Sequence, residues 1–147
     1  MIYTDKTKKA IKLSYKAHAG QTDKSGLPYF HHPMHLAEQM DDEDSTVVAL
    51  LHDVVEDTSY TFHDLEQMGF GDAVIEALKL LTHDDYSPYL DYVRRIAKNP
   101  LATKVKLADL RHNSDLSRLN HEPTIKDIER YNKYQKAIAI LTAEQQE

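Results

Sequence analysis

The segment Ala49-Leu50-Leu51-His52-Asp53-Val54-Val55-Glu56-Asp57 constrains the fold of this 147-residue chain more than any other stretch. Its aliphatic residues belong in a core, yet an imidazole and three carboxylates lie among them. Read as a helix, it sets His52 and Glu56 one turn apart on one face, with Asp53 and Asp57 repeating that spacing beside them. Moving an unpaired neutral polar group out of water costs about 2–7 kcal/mol, and a carboxylate costs more. A His-Asp pair that merely hydrogen-bonds would ease part of this penalty. A bound cation removes more of it. His32 upstream and Asp109 downstream favour the cation, because two imidazoles and two carboxylates form a ligand set for a first-row divalent metal.

A chain of this length is expected to be one domain, able to bury about 68–70% of its unfolded surface unaided. It contains no cysteine, which is compatible with a reducing compartment. The start, Met1-Ile2-Tyr3-Thr4-Asp5-Lys6, has no apolar stretch behind a basic one, and no run of about 18 apolar residues occurs. A cytoplasmic protein without membrane association is the expectation. A formal net charge of −6 and a pI near 5.8 argue against a general nucleic-acid binder, which needs a basic footprint. A small anionic ligand is still permitted where local cations or a metal receive it.

Helical spacing dominates the rest of the chain. A first helix is expected from Ile2 to Ala19, ended by Gly20. Two glycines and a proline predict a loop from Gly20 to His31. Pro33 suits the first turn of a second helix through about Met40, which would turn His31 away from its neighbour. The run Asp41-Asp42-Glu43-Asp44 reads as a solvated turn that favours the dipole of the next helix. That helix should run from about Ser45 to Val55. Thr61 caps a short helix closed by Gly69, and Asp72 to Leu81 forms another. Ser87-Pro88 opens a helix to about Lys98. Segments from Leu101 to about Leu119 and from Thr124 to Leu141 complete the set, with Thr124 and Asp127 at capping-box spacing. Without a strand pattern or an internal repeat, the expected architecture is all-α.

Several motifs resemble one family. Gly20-Gln21, Lys24-Ser25-Gly26, Pro28-Tyr29, His32-Pro33, Leu51-His52-Asp53-Val54-Val55-Glu56-Asp57-Thr58, Phe70-Gly71 and Lys106-Leu107-Ala108-Asp109 with Asn113 together resemble the HD-superfamily hydrolase domain of RelA/SpoT-type proteins, and most closely the small stand-alone alarmone hydrolases. The resemblance runs from about residue 5 to residue 140. It implies an HD-domain helical bundle, a manganese ion, and removal of pyrophosphate from the 3′ position of guanosine tetra- or pentaphosphate. It also implies that His32, His52, Asp53 and Asp109 are metal ligands and that Glu56 and Asp57 position and deprotonate water. Glu56 is the expected base because it shares a helix face with His52. Physical chemistry supports this division of roles: a divalent metal acidifies water and polarises a phosphoryl oxygen, while an uncommitted carboxylate takes the proton.

Lys24, Ser25 and Asn113 match family positions that contact the nucleotide, Lys106 lies just before the last ligand, and Arg130 and Tyr134 resemble phosphate- and base- or ribose-facing positions. Two departures concern this wall. The family commonly has an arginine where this chain has Asp23, so a stacking cation is missing there and Asp23→Arg is expected to restore one. The family run Arg-Leu-His-Asn-Met-Arg-Thr is here Leu110-Arg111-His112-Asn113-Ser114-Asp115-Leu116. Another phosphorylated nucleotide or cofactor therefore stays open as substrate, and so does a non-catalytic metal or nucleotide sensor, although a sensor has no need of the Glu56-Asp57 pair. The expected partner is a small nucleotide, with a homo-oligomer permitted. Of the remaining histidines, His18 and His112 are candidates for the cleft, His35 is expected to be packed or exposed, and His63, His83 and His121 to face solvent. Tyr86, Tyr89 and Tyr92 read as a core-facing stripe.

Overall fold

The structure is a computed structural model that describes residues 1–84 and 86–145, with side chains described as far as residue 143. It is all-α, as expected. The described residues form α1 (Asp5–Ala17), α2 (His31–Glu38), α3 (Glu43–Leu51), α4 (Val54–Asp57), α5 (Phe62–Gln67), α6 (Asp72–Leu81), α7 (Tyr89–Ile96), α8 (Pro100–Asn113), a 3-10 turn (Leu116–Arg118) and α9 (Ile125–Gln145). A lone bridge between Thr22 and Pro28 pinches the loop after α1. None of these helices is long and apolar enough to cross a membrane.

Capping residues decide where most helices begin. Thr4 and Thr7 form a reciprocal capping box, so α1 starts at Asp5 rather than Ile2. α2 starts two residues earlier than expected: successive turns bring the N–H of His31 to the carbonyl of Pro28 and that of His32 to Tyr29, both at 3.0 Å. Pro33 then occupies the third helical position, where its missing N–H leaves no bond unmade. His31 consequently lies within the helix. Asp42 caps α3 by accepting from Ser45 N at 2.8 Å, and Thr124 and Asp127 form the expected capping box before α9.

α3 is the central helix. Every residue from Ser45 to Leu51 is buried, and the helix packs against α1, α2, α6 and α8. One continuous core surrounds it, including Leu36, Leu50, Phe70, Leu78, Ile96, Leu110 and Leu141. Burying each such side chain contributes about 1.5–3 kcal/mol.

Further expectations need correction. α3 does not continue to Val55: it ends at Leu51, Asp53 adopts φ −107° and ψ 2°, and α4 restarts the chain at Val54. His52 and Glu56 therefore do not share one face of a continuous helix. α8 ends at Asn113, and the chain tightens into the 3-10 turn where the Asp115 side chain accepts from Ser117 N. The tyrosine stripe fails at Tyr86, which is 97% exposed; it precedes α7 and so has no helical register with buried Tyr92. His63 and His121 are exposed as expected, whereas His83 is half-buried, with its ring 4.5 Å from that of Tyr92 and Nε2 donating to Ser87 O.

Candidate metal centre and adjoining cavity

The break after α3 places the chemistry. His52 ends that helix, His32 comes from the first turn of α2 and Asp109 from the last turns of α8, and these three elements pack together. One ligand atom each from His32, His52 and Asp109 lies within 4.8 Å of the others, and all three residues are buried. Asp109 Oδ1 stands 2.8 Å from His32 Nε2 and 3.4 Å from His52 Nε2. Asp53 lies outside that three-residue group but adjoins it, with Oδ2 2.9 Å from His52 Nε2.

The donor set fits a cation. His52 Nδ1 lies 2.7 Å from the carbonyl of Ala49, which can only accept, so Nδ1 carries the proton. In neutral His52 the Nε2 lone pair then faces two carboxylate oxygens. Nε2 is buried without a partner in hydrogen-bonding geometry. Three electron-rich atoms converging in this way need a proton or a metal between them. Burial alone would depress the pKa of His52, but Asp53 and Asp109 overcome burial and hold it well above the usual imidazole range. For Asp109, burial is likewise outweighed, here by Lys106, His32 and His52, which hold its pKa well below the ordinary carboxylate range. The site therefore favours an anionic Asp109 beside whatever positive charge occupies the cluster.

Outer partners orient each group. Lys106 Nζ donates to Asp109 Oδ2 at 2.9 Å and Asn113 Nδ2 to Oδ1 at 3.1 Å. The Tyr29 hydroxyl donates to Asp53 Oδ2, and burial, followed by the Asp53 charge, raises its pKa. Glu56 and Asp57 follow on α4 and remain solvent-accessible. Burial of the carboxyl itself, followed by the charge of Asp53, raises both of their pKa values.

A cavity of about 320 Å³ adjoins the cluster. Lys24, Ser25, Asn113, Arg130 and Tyr134 all line it, together with Tyr29, Asp23 and Arg118. Tyr29 and Asn113 are shared walls, since each also bonds a carboxylate of the cluster. Lys106 is not among the lining residues; it is half-buried beside Asp109, its Nζ 5.5 Å from the Tyr92 ring centroid. Arg130 is paired with Asp127 and Arg118 with Asp23, each at 3.1 Å. Lys24 has no acidic partner among the described residues, and burial with nearby Arg130 lowers its pKa.

Sequence reasoning missed Arg118 and gave no role to Tyr29. Both could be found only through contacts spanning 95 and 24 residues. His18 is buried against Tyr29 and Gln21. His35 is packed as expected, its ring 4.2 Å from that of His112.

The bundle and its cluster of histidines and carboxylates define the class: residues 10–112 match the HD domain family, and the chain belongs to it. Among curated proteins it is similar to the bifunctional (p)ppGpp synthase/hydrolase SpoT of Escherichia coli K12, with 36% identity over 72% of this chain and 17% of that protein. It is also similar to a GTP pyrophosphokinase of Myxococcus xanthus, with 37% identity over 74% of this chain and 17% of that protein. The chain thus spans about a sixth of these relatives. A solved structure of a metazoan ortholog of SpoT, described as hydrolysing ppGpp and acting in starvation responses, superposes with a TM-score of 0.75 at 26% identity, covering 96% of this chain and 88% of that one.

Proposed function

We propose that this chain is a metal-dependent guanosine-3′,5′-bis(diphosphate) 3′-pyrophosphohydrolase and that its described residues form one HD-type domain around a single core. The observation that carries the reading is the convergence of His32 and His52 with buried Asp109, followed along the chain from His52 by accessible Glu56 and Asp57 and adjoining a cavity to which Lys24, Arg118 and Arg130 contribute. Likeness to a ppGpp-hydrolysing ortholog across nearly its whole length supports the substrate.

His32, His52, Asp53 and Asp109 would hold the ion. Bound there, a divalent metal supplies Lewis acidity and lowers the pKa of water. The family resemblance makes manganese that ion, and the setting of the reaction is cytoplasmic. Glu56 takes the proton from the attacking water, and its raised pKa brings it closer to that task than an ordinary carboxylate. Asp57 assists by orienting the water. Water oxygen adds to the 3′-linked phosphorus, the bond from phosphorus to the ribose 3′ oxygen breaks, pyrophosphate leaves, and the 3′ oxygen ends protonated. Lys24, Ser25, Arg130 and Tyr134 bind the nucleotide in the cavity, Asn113 orients Asp109 at its edge, and Lys106 steadies that ligand.

Asp23 supports a second reading, in which the pocket takes another 3′-phosphorylated nucleotide. Initial rates on a manganese-supplemented panel of 3′-phosphorylated nucleotides separate the two. The alarmone is expected to be the best substrate; efficient cleavage of another member with no action on the alarmone would assign a different specificity.

A further inference from the structure

We propose that His112 is a positioning residue that fixes the tautomer of His32, an inference that rests on the metal-centre reading above. His112 lies three residues beyond Asp109 on α8 and is buried. Its Nδ1 stands 2.7 Å from His32 Nδ1, and the two ring planes are only 7° apart with centroids separated by 4.9 Å. A nitrogen-nitrogen contact this short falls in the hydrogen-bond range. The imidazoles therefore meet edge to edge and share one proton.

The position of that proton matters to the centre. His32 Nε2 points at Asp109 Oδ1 and belongs to the three-residue cluster. To hold a cation, Nε2 must present its lone pair, which leaves Nδ1 as the N–H of the neutral ring. His112 Nδ1 is the acceptor placed to receive that hydrogen, and it carries its own proton on Nε2 in this arrangement. His52 has the same arrangement, with the carbonyl of Ala49 at 2.7 Å in place of a side chain. Each ligand imidazole is thus backed at Nδ1 by an acceptor, the usual means of orienting a metal-binding histidine. His112 is itself held in place: the His35 ring packs against it, and Arg118 Nη1 donates to its carbonyl at 2.8 Å.

The test compares wild type, His112→Leu and His112→Gln by calorimetric titration with Zn²⁺ and Mn²⁺, and reads the nitrogen-15 NMR signals of His32 in the Zn²⁺-loaded wild type. Leucine should weaken metal binding by about 10- to 100-fold. Glutamine, whose amide oxygen can accept, should recover most of the affinity. His32 should be protonated at Nδ1 in the loaded protein. Wild-type affinity in His112→Leu, or a loaded His32 protonated at Nε2, would overturn the role, and the NMR result stands even if the leucine variant fails to fold. Failure of wild type to bind either metal would instead remove the centre itself and this role with it.

Discussion

Arg118 Nη2 lies 3.1 Å from Asp23 Oδ2, joining the 3-10 turn after α8 to the loop before α2 in the wall of the cavity. The other oxygen, Asp23 Oδ1, accepts from the backbone N–H groups of Ser25 and Leu27 at 2.8 and 3.0 Å. Both oxygens are therefore engaged. Asp23 is a tied anchor rather than a free repulsive charge on the substrate wall, and the cation missing at position 23 stands opposite it in the same cavity.

This pair reverses the expected effect of Asp23→Arg. The variant would remove two loop hydrogen bonds and set an arginine against Arg118, so it should lower stability by about 1–3 kcal/mol and weaken nucleotide binding. Exchanging both residues, Asp23→Arg with Arg118→Asp, should recover part of the stability. Thermal unfolding and nucleotide titration of the single and double variants check this; tighter nucleotide binding by Asp23→Arg alone would refute the anchoring role.

His52→Ala, Asp53→Ala and Asp109→Ala should each abolish metal binding, because a site that loses one ligand loses its geometry and leaves the remaining charges buried without compensation. Metal content of the purified variants is the readout. Stoichiometric metal in all three would contradict the ligand set.

Glu56→Gln keeps the shape of the side chain but cannot accept a proton at neutral pH. Metal content should stay normal while the rate falls by about 10²–10⁴-fold. A near-wild-type rate would transfer the role to Asp57.

The Glu56 carboxyl also sets the sign of the pH dependence. Its pKa is raised by burial and by the charges of Asp53 and Asp57, and the base works only when ionised. Activity should therefore be lost as pH falls through a pKa above the ordinary Glu value of about 4.3. The pH profile of kcat/KM should lose this limb in Glu56→Gln; an acid limb at or below the ordinary value would contradict the assignment.

Much of the molecule was legible in the sequence because its signals are local. Capping residues and turn glycines marked α5, α6 and the start of α9, and the restrictive run around His52-Asp53 marked the site. The break between α3 and α4 was not legible: the aliphatic pattern continues through Val54 and Val55, while the contact of Asp53 with Tyr29 depends on a partner 24 residues away. Arg118 was hidden for the same reason, since its roles come from a loop 95 residues earlier in the chain. His112 was legible only as a cleft candidate, because edge-to-edge contact with His32 is a property of how α2 and α8 pack.

The most direct measurement is product analysis of guanosine tetraphosphate incubated with the purified protein, with manganese and with a chelator. GDP and pyrophosphate should appear in equal amounts, formed only with the metal and nearly absent in Glu56→Gln. Intact substrate with manganese, or equal turnover in the chelator, would contradict the proposed activity.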